Sequence, residues 1–330
     1  MTDANTKTIL SGMRPTGKLH LGHWTGALEN WVALQDSYNN YHLVADYHAL
    51  TTNLDTSDLY QNTLDMVIDW LAGGIDPVNS PVFRQSQIKE HTELHLIFSM
   101  LITKNRLERN PSIKEQVRDL DIENIVYGHL GYPVLQAADI LLYRGDLVPV
   151  GEDQLSHVEI TREIARRFNA TWGDVFPEPE PKLTKFARLP GLDGKDRKMS
   201  KSMNNTILLS DDPDTVAQKL RKAPTDVEKV RRNDPGRPEV CLVYTYHEKF
   251  NPGETAEISE GCRSGALGCV DCKKRCGASI DLFLAPHREG RAKYEAAPSL
   301  VEDILRDGET RARRRAEETM RAVRDAMKLG

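Results

Sequence analysis

Cysteine is missing from the first 240 residues, and all five cysteines lie between Cys241 and Cys276. Such confinement argues against a disulfide framework through the body of the protein and points to one local metal site. No long apolar run occurs, which excludes a membrane-spanning helix. There is no internal repeat and no low-complexity tract, so solenoid and disordered architectures are set aside. The opening "MTDANTKTILSG" is polar and lacks the apolar segment of a signal peptide, so export is not expected and the cytoplasm is the expected compartment. Positive charge is also short: the net charge is -5, and any nucleic-acid contact must come from local basic patches.

What remains is a globular chain of 330 residues, 39% hydrophobic and 28% charged, long enough for two lobes. Its first half alternates short apolar runs with helical patterns. Strands are expected at 8–13, 41–48, 81–86 and 147–151, and helices at 21–37 and 58–74. This rhythm predicts a doubly wound α/β fold, a parallel sheet with helices on both faces. Ligands of such sheets bind beyond the carboxyl ends of the strands, which puts "SGMRPTG", "YHAL" and "VGEDQ" on one rim. After about residue 210 the pattern turns helical: "DDPDTVAQKLRKA" begins acidic and ends basic, as a helix dipole prefers, and the tail from Arg291 onwards favours helix. Domains are therefore expected at 1–209 and 210–330, with the chain end able to pack back on the first.

Two stretches carry chemistry. In "SGMRPTGKLHLGHWTGALEN" glycines permit a tight turn, Arg14 and Thr16 offer donors, and His20 and His23 bracket Gly22 at a helix start suited to a polyphosphate; the two histidines could also be a surface pair or half a metal site. In "KMSKS", Lys198 and Lys201 stand three residues apart in a Gly- and charge-rich loop. Lysines on a mobile loop can meet the β- and γ-phosphates of ATP as pyrophosphate departs.

With these two stretches together the chain resembles the class I aminoacyl-tRNA synthetases. The signatures are His20-Leu21-Gly22-His23, with leucine for the family's isoleucine, and the complete run from Lys198 to Ser202. The segment at 132–169, "YPVLQAADILLYRGDLVPVGEDQLSHVEITREIARRFN", is similar to the bacterial tryptophanyl-tRNA synthetases. That resemblance implies a Rossmann-like catalytic domain with a helical anticodon-binding domain, and attachment of L-tryptophan to its tRNA through an adenylate, with ATP and Mg2+. By the match, Arg14, Pro15, Thr16, Gly22, His23, Gly151, Glu152, Asp153, Leu189 and the run Lys198, Met199, Ser200, Lys201, Ser202 serve ATP, with Lys198, Lys201 and His23 catalytic. Asp139 would accept the indole N–H, and Tyr132, Gln136 and Gln154 would hold the amino and carboxylate groups; members of the family carry methionine where Gln136 stands. Read locally, Asp139 is instead an N-cap for "ILLY". The family also implies a homodimer and no membrane association. Tyrosyl-tRNA synthetase, which shares both signatures, and an RNA-binding paralogue are the alternatives. The basic stretch 103–118 reads equally as an acceptor-stem contact or a solvated helix face.

Cys241, Cys262, Cys269 and Cys272 are separated by 20, 6 and 2 residues, with Cys276 following. Four such cysteines can wrap a tetrahedral thiolate site for zinc or iron–sulfur. The resemblance extends to a subgroup of tryptophanyl enzymes with a 4Fe-4S cluster on a C-x22-C-x6-C-x2-C pattern, whose last two gaps are met here and whose first is two residues longer.

Overall fold

The computed structural model describes residues 6–119, 122–151, 154–183 and 189–329. The chain forms two compact units. One comprises Met1–Gly17, Asn30–Lys185 and Ala297–Gly330; the other comprises Lys18–Glu29 and Phe186–Ala296.

The first unit is built on a parallel sheet of β1 (Thr8–Met13), β2 (Asn39–Val44), β3 (Val82–Arg84), β4 (Leu147–Val150) and β5 (Glu180–Leu183), in the order β3-β2-β1-β4-β5. Both faces are covered, as the apolar strands require. Successive residues of β2 point to opposite sides. Tyr41 stacks on Tyr143 at 4.9 Å, while His42 stacks on Trp31 at 5.2 Å. Burial pushes the His42 imidazole down to about 3, so it packs as a neutral ring. The helices Glu90–Ser99, Tyr127–Leu142 and Leu155–Trp172 close the larger face around Phe83, Phe98, Leu141 and Phe168.

Several expected boundaries shift for local reasons. The strand expected at 41–48 ends at Val44, because the buried Asp46 carboxylate accepts hydrogen bonds from the amides of Tyr47 and Ser86 and draws the chain into a helical turn, Asp46–Ala49. The same bonds end the strand expected at 81–86 after Arg84. The helix expected at 21–37 stops at Leu34 and contains a π-helical turn, Trp24–Leu28. β5 was not foreseen: its "EPKL" is polar and carries Pro181, the composition of an edge strand.

The opposite edge, β3, is covered by the long Pro298–Met327 helix. Gly308, Ala312 and Ala316 recur at four-residue spacing, and this stripe of minimal side chains lets helix and strand approach closely. Arg84 Nε meets Glu309 Oε1 at 2.6 Å, and the Tyr60 hydroxyl donates to Glu302 at 2.8 Å.

The second unit is helical in its core. Pro213–Lys222 and Leu242–Phe250 pack on Cys269–Glu295 through Val216, Leu220, Val243, Tyr246, Ile280 and Leu284. Asp212 caps the first of these helices by accepting from the Thr215 amide at 2.8 Å, and Lys219, Arg221 and Lys222 occupy its end. Among the described residues no helix is long and apolar enough to cross a membrane.

A Cβ at Gly308 would lie 2.0 Å from the Val82 carbonyl oxygen. Gly308→Ala should therefore lower stability by about 1–3 kcal/mol, read as a fall in the urea midpoint. An unchanged midpoint would show that the helix does not need this approach.

Candidate active site

In the first unit, a cavity of about 330 Å³ opens at the carboxyl ends of β1 and β2. Arg14, Tyr132, Gln136, Asp139 and Gln154, all singled out from the sequence, line it together with His48. A Cβ on Gly12 would stand 3.2 Å from the Leu43 carbonyl, so a side chain here would press on β2 at the cavity wall.

Asp139 sits inside the Tyr127–Leu142 helix, three residues before its last residue, and does not cap its start. Its carboxylate is 3% exposed, which demands partners. Gln85 Nε2 donates to Oδ1 at 2.7 Å, His91 Nδ1 lies 2.7 Å from the same oxygen, and His48 Nε2 lies 2.9 Å from Oδ2. Burial pushes this carboxyl upward, but His91 and His48 overcome it and hold the group well below the usual carboxylate range. Asp139 is thus an ionised, acceptor-only group with capacity left on Oδ2. His91 is itself braced by the Tyr143 hydroxyl at 2.9 Å.

Tyr132 belongs to a second chain of bonds. Gln116 Nε2 donates to its hydroxyl at 3.1 Å, and His157 Nε2 meets that hydroxyl at 2.9 Å, with Asn110 behind His157 at 3.1 Å. Burial raises the Tyr132 hydroxyl to about 12, so it stays protonated.

In the second unit, an antiparallel backbone pairing joins the two signatures. The Leu21 amide donates to the Ile207 carbonyl at 2.9 Å, and the Leu209 amide to the Leu19 carbonyl at 2.9 Å. The His20 and His23 rings stack at 3.7 Å, and each Nδ1 accepts the other residue's backbone N–H at 3.3 Å. This reciprocal cap leaves the proton of each neutral ring on Nε2, where it can be donated to a ligand. Burial, then Lys201 and Lys198, lowers His20 to about 4. Burial, then His20 and the same lysines, lowers His23 to about 3.

Buried Met199 directs its sulfur at the Gly22 amide, 3.3 Å away. A Cβ at Gly22 would come within 3.0 Å of the His20 ring. The loop is also tied at its base by Asn205: its Oδ1 accepts from the Ser200 amide at 2.7 Å, and its Nδ2 donates to the Lys198 carbonyl at 2.9 Å and to Asp193 at 2.7 Å. Lys198 and Ser202 remain exposed and Leu189 is buried beside the loop's opening strand residue Pro190, which bridges Lys198. The loop expected to be mobile is therefore anchored through Met199 and Asn205, with its charged groups outward.

Pro15 and Thr16 follow β1, and Gly151 follows β4; Glu152 and Asp153 lie outside the described residues. Residues missed in the sequence are Gln85, His91 and Asn205. The His91/His95 spacing in "EHTELHL" was the available signal for one of them.

Cys241, Cys262, Cys269 and Cys272 are free thiols of the second unit, as is Cys276. Burial, then the sulfurs of Cys241, Cys262 and Cys269, pushes the Cys272 thiol up to about 12, so all four share one neighbourhood. Among the described residues, however, no three groups of His, Cys, Asp or Glu are arranged to hold a metal ion. Cys276 is fully buried against the helical core.

The sequence model of the class I tRNA synthetases (W and Y) matches residues 2–285. The tryptophan–tRNA ligase of Thermotoga maritima is 50% identical over 326 residues, covering 97% of this chain and 99% of that protein. The enzyme of the same name from Aquifex aeolicus is 41% identical, with 97% and 99% covered. A crystal structure of tryptophanyl-tRNA synthetase from Campylobacter jejuni, complexed with ADP and tryptophan, superposes with a TM-score of 0.88 at 33% identity, covering 97% of this chain and 99% of that one. The fold and both signatures are those of a class I aminoacyl-tRNA synthetase. Within that class, the chain belongs to the bacterial tryptophanyl-tRNA synthetases.

The two stacked histidines have a consequence for acid stability. Their folded-state values lie below the ordinary 6.5, so the unfolded chain binds more protons between pH 6.5 and about 4, and stability is lost as pH falls through that window. Urea unfolding should show a shallower acid-side slope in the His20→Gln, His23→Gln double variant than in the parent chain. Equal slopes would mean that the pair is not buried and neutral.

Proposed function

We propose that the chain activates L-tryptophan with ATP and Mg2+ and transfers it from the adenylate to its tRNA, with release of pyrophosphate and AMP. The observation that carries this reading is the ionised, buried Asp139 in the wall of the first unit's cavity. A group that can only accept suits the single donor of an indole. Phenylalanine would leave the remaining acceptor capacity of Oδ2 unmet in a dry site, which carries a penalty. Tyr132, Gln136 and Gln154 offer polar atoms for the amino and carboxylate groups.

No covalent enzyme intermediate is needed, so the chemistry rests on positioning and charge. Lys198 and Lys201 supply positive charge for the departing pyrophosphate. His20 and His23 donate from Nε2 without adding charge, since the same lysines help to keep them neutral. Arg14, Pro15, Thr16, Gly22, Leu189, Gly151, Glu152 and Asp153 complete the ATP set by their match to the family.

ATP–pyrophosphate exchange tests this directly. Exchange is expected with tryptophan and not tyrosine; Lys198→Ala and Lys201→Ala should each lower kcat by roughly 10²–10³-fold, and Asp139→Ala should mainly raise KM for tryptophan. Exchange with tyrosine would favour a tyrosyl enzyme, and none with either amino acid an RNA-binding paralogue.

The four cysteines fit a metal group in kind. They are unpaired by disulfides, and at Cys262 and Cys272 burial, then the neighbouring sulfurs, pushes the thiol up, a disadvantage that a bound cation would remove. Cys241, Cys262, Cys269 and Cys272 would hold a 4Fe-4S cluster, or zinc as the alternative, and the bound group would supply charge neutralisation and cross-linking of their segments. Anaerobically purified protein should carry about four irons and absorb near 400 nm, both lost in Cys272→Ser. Zinc without iron would favour the alternative, and neither metal would sink the proposal.

Residues 1–209 would then be the catalytic region and 210–330 the tRNA-reading one, with 297–330 serving the sheet. The exposed apolar residues Leu96, Met100, Val126 and Tyr127 support a homodimer. The bacterial relatives support a cytoplasmic setting.

A further inference from the structure

At the amino ends of the strands, remote from the Asp139 cavity, the first unit holds a second recess of about 760 Å³. Thr8, Asn39 and Tyr41 open their strands here, whereas Gly12, Met13 and Leu43, farther along the same strands, line the other cavity. Arg144, Arg311, Arg314 and Arg315 converge on the recess, against the carboxylates of Asp146 and Glu318.

The carboxylates offset only part of this charge, two of them facing four guanidiniums in the lining. Asp146 accepts from the Thr8 amide at 2.7 Å, and Glu318 pairs with Arg315 at 3.5 Å. Arg311 turns one nitrogen to the Pro77 carbonyl, 2.8 Å away, and to the Asp307 carboxylate, 3.3 Å away, while Arg314 is exposed. Arg144 is held in a left-handed conformation, φ 52°, at the end of the Tyr127–Leu142 helix. Its Nε is buried and has no hydrogen-bond partner among the described residues. Burial, and then Arg315, lowers its pKa, so the guanidiniums crowd one another.

Guanidiniums gathered around a concave space, one with an unsatisfied buried donor, call for an anion with several oxygens. We propose that this recess binds a small polyphosphate, separately from the aminoacylation site. Its volume exceeds what a single phosphate needs, and its concave form suits a compact anion better than the rod of an RNA stem.

The test is calorimetric titration of the full chain with pyrophosphate in the Lys198→Ala, Lys201→Ala background, which weakens the reading of the catalytic loop. One site should remain there, and Arg314→Glu, an exposed change that leaves folding intact, should weaken it at least tenfold; Arg144→Gln should do the same. Loss of all binding in the lysine background, or affinity unchanged by both arginine substitutions, would overturn the proposal. So would salt-dependent tRNA binding lost in Arg314→Glu with no pyrophosphate binding, which would give the recess to RNA. Failure of the exchange assay above would leave this titration unaffected.

Discussion

Two backbone hydrogen bonds, from Leu21 to Ile207 and from Leu209 to Leu19, govern the catalytic signatures. They take a short segment near the start of the chain and seat it in the second unit, so that residues almost two hundred positions apart become neighbours. From that seat follow the burial of Met199 against Gly22 and the action of Lys198 and Lys201 on the histidines. The neutral state of the imidazoles is a result of this arrangement. A histidine pair on an exposed helix start would titrate near its ordinary value.

The buried carboxylate of Asp139 obeys a different constraint. A charge that is nearly inaccessible to water must be met on several sides, or it would take up a proton. Gln85, His91 and His48 come from three separate segments, and Tyr143 stands behind His91. The carboxylate is consequently held from several sides, an arrangement that suits discrimination between ligands. The network extends into the sheet, because Tyr143 also stacks on Tyr41 of β2.

The long terminal helix shows how a locally polar sequence can be structural. Its arginines and glutamates read as a solvated face, and some are. Yet Glu309 is 6% exposed and bonded to Arg84, while Gly308 lets the backbone of β3 come into contact. A small residue at such a place carries no signal by itself, since its meaning lies in the strand it admits.

Periodicity and local chemistry determined a good part of this protein: four strands, the order of strand and helix, the cap at Asp212, the two signatures and the clustering of thiols all depend on residues near one another in the chain. The resemblance of the "QAADILLY" segment named Asp139, where local reading alone gave an N-cap. Tertiary structure decided the rest. Strand ends moved because Asp46 bonds to Ser86, forty residues away; β5 forms because an edge needs no apolar alternation; His91 and Asn205 matter only through partners that folding brings to them. Hydrophobic pattern reports which face is buried, and it is silent about which distant group will satisfy a buried charge or amide. That pairing is specified by the packed chain as a whole.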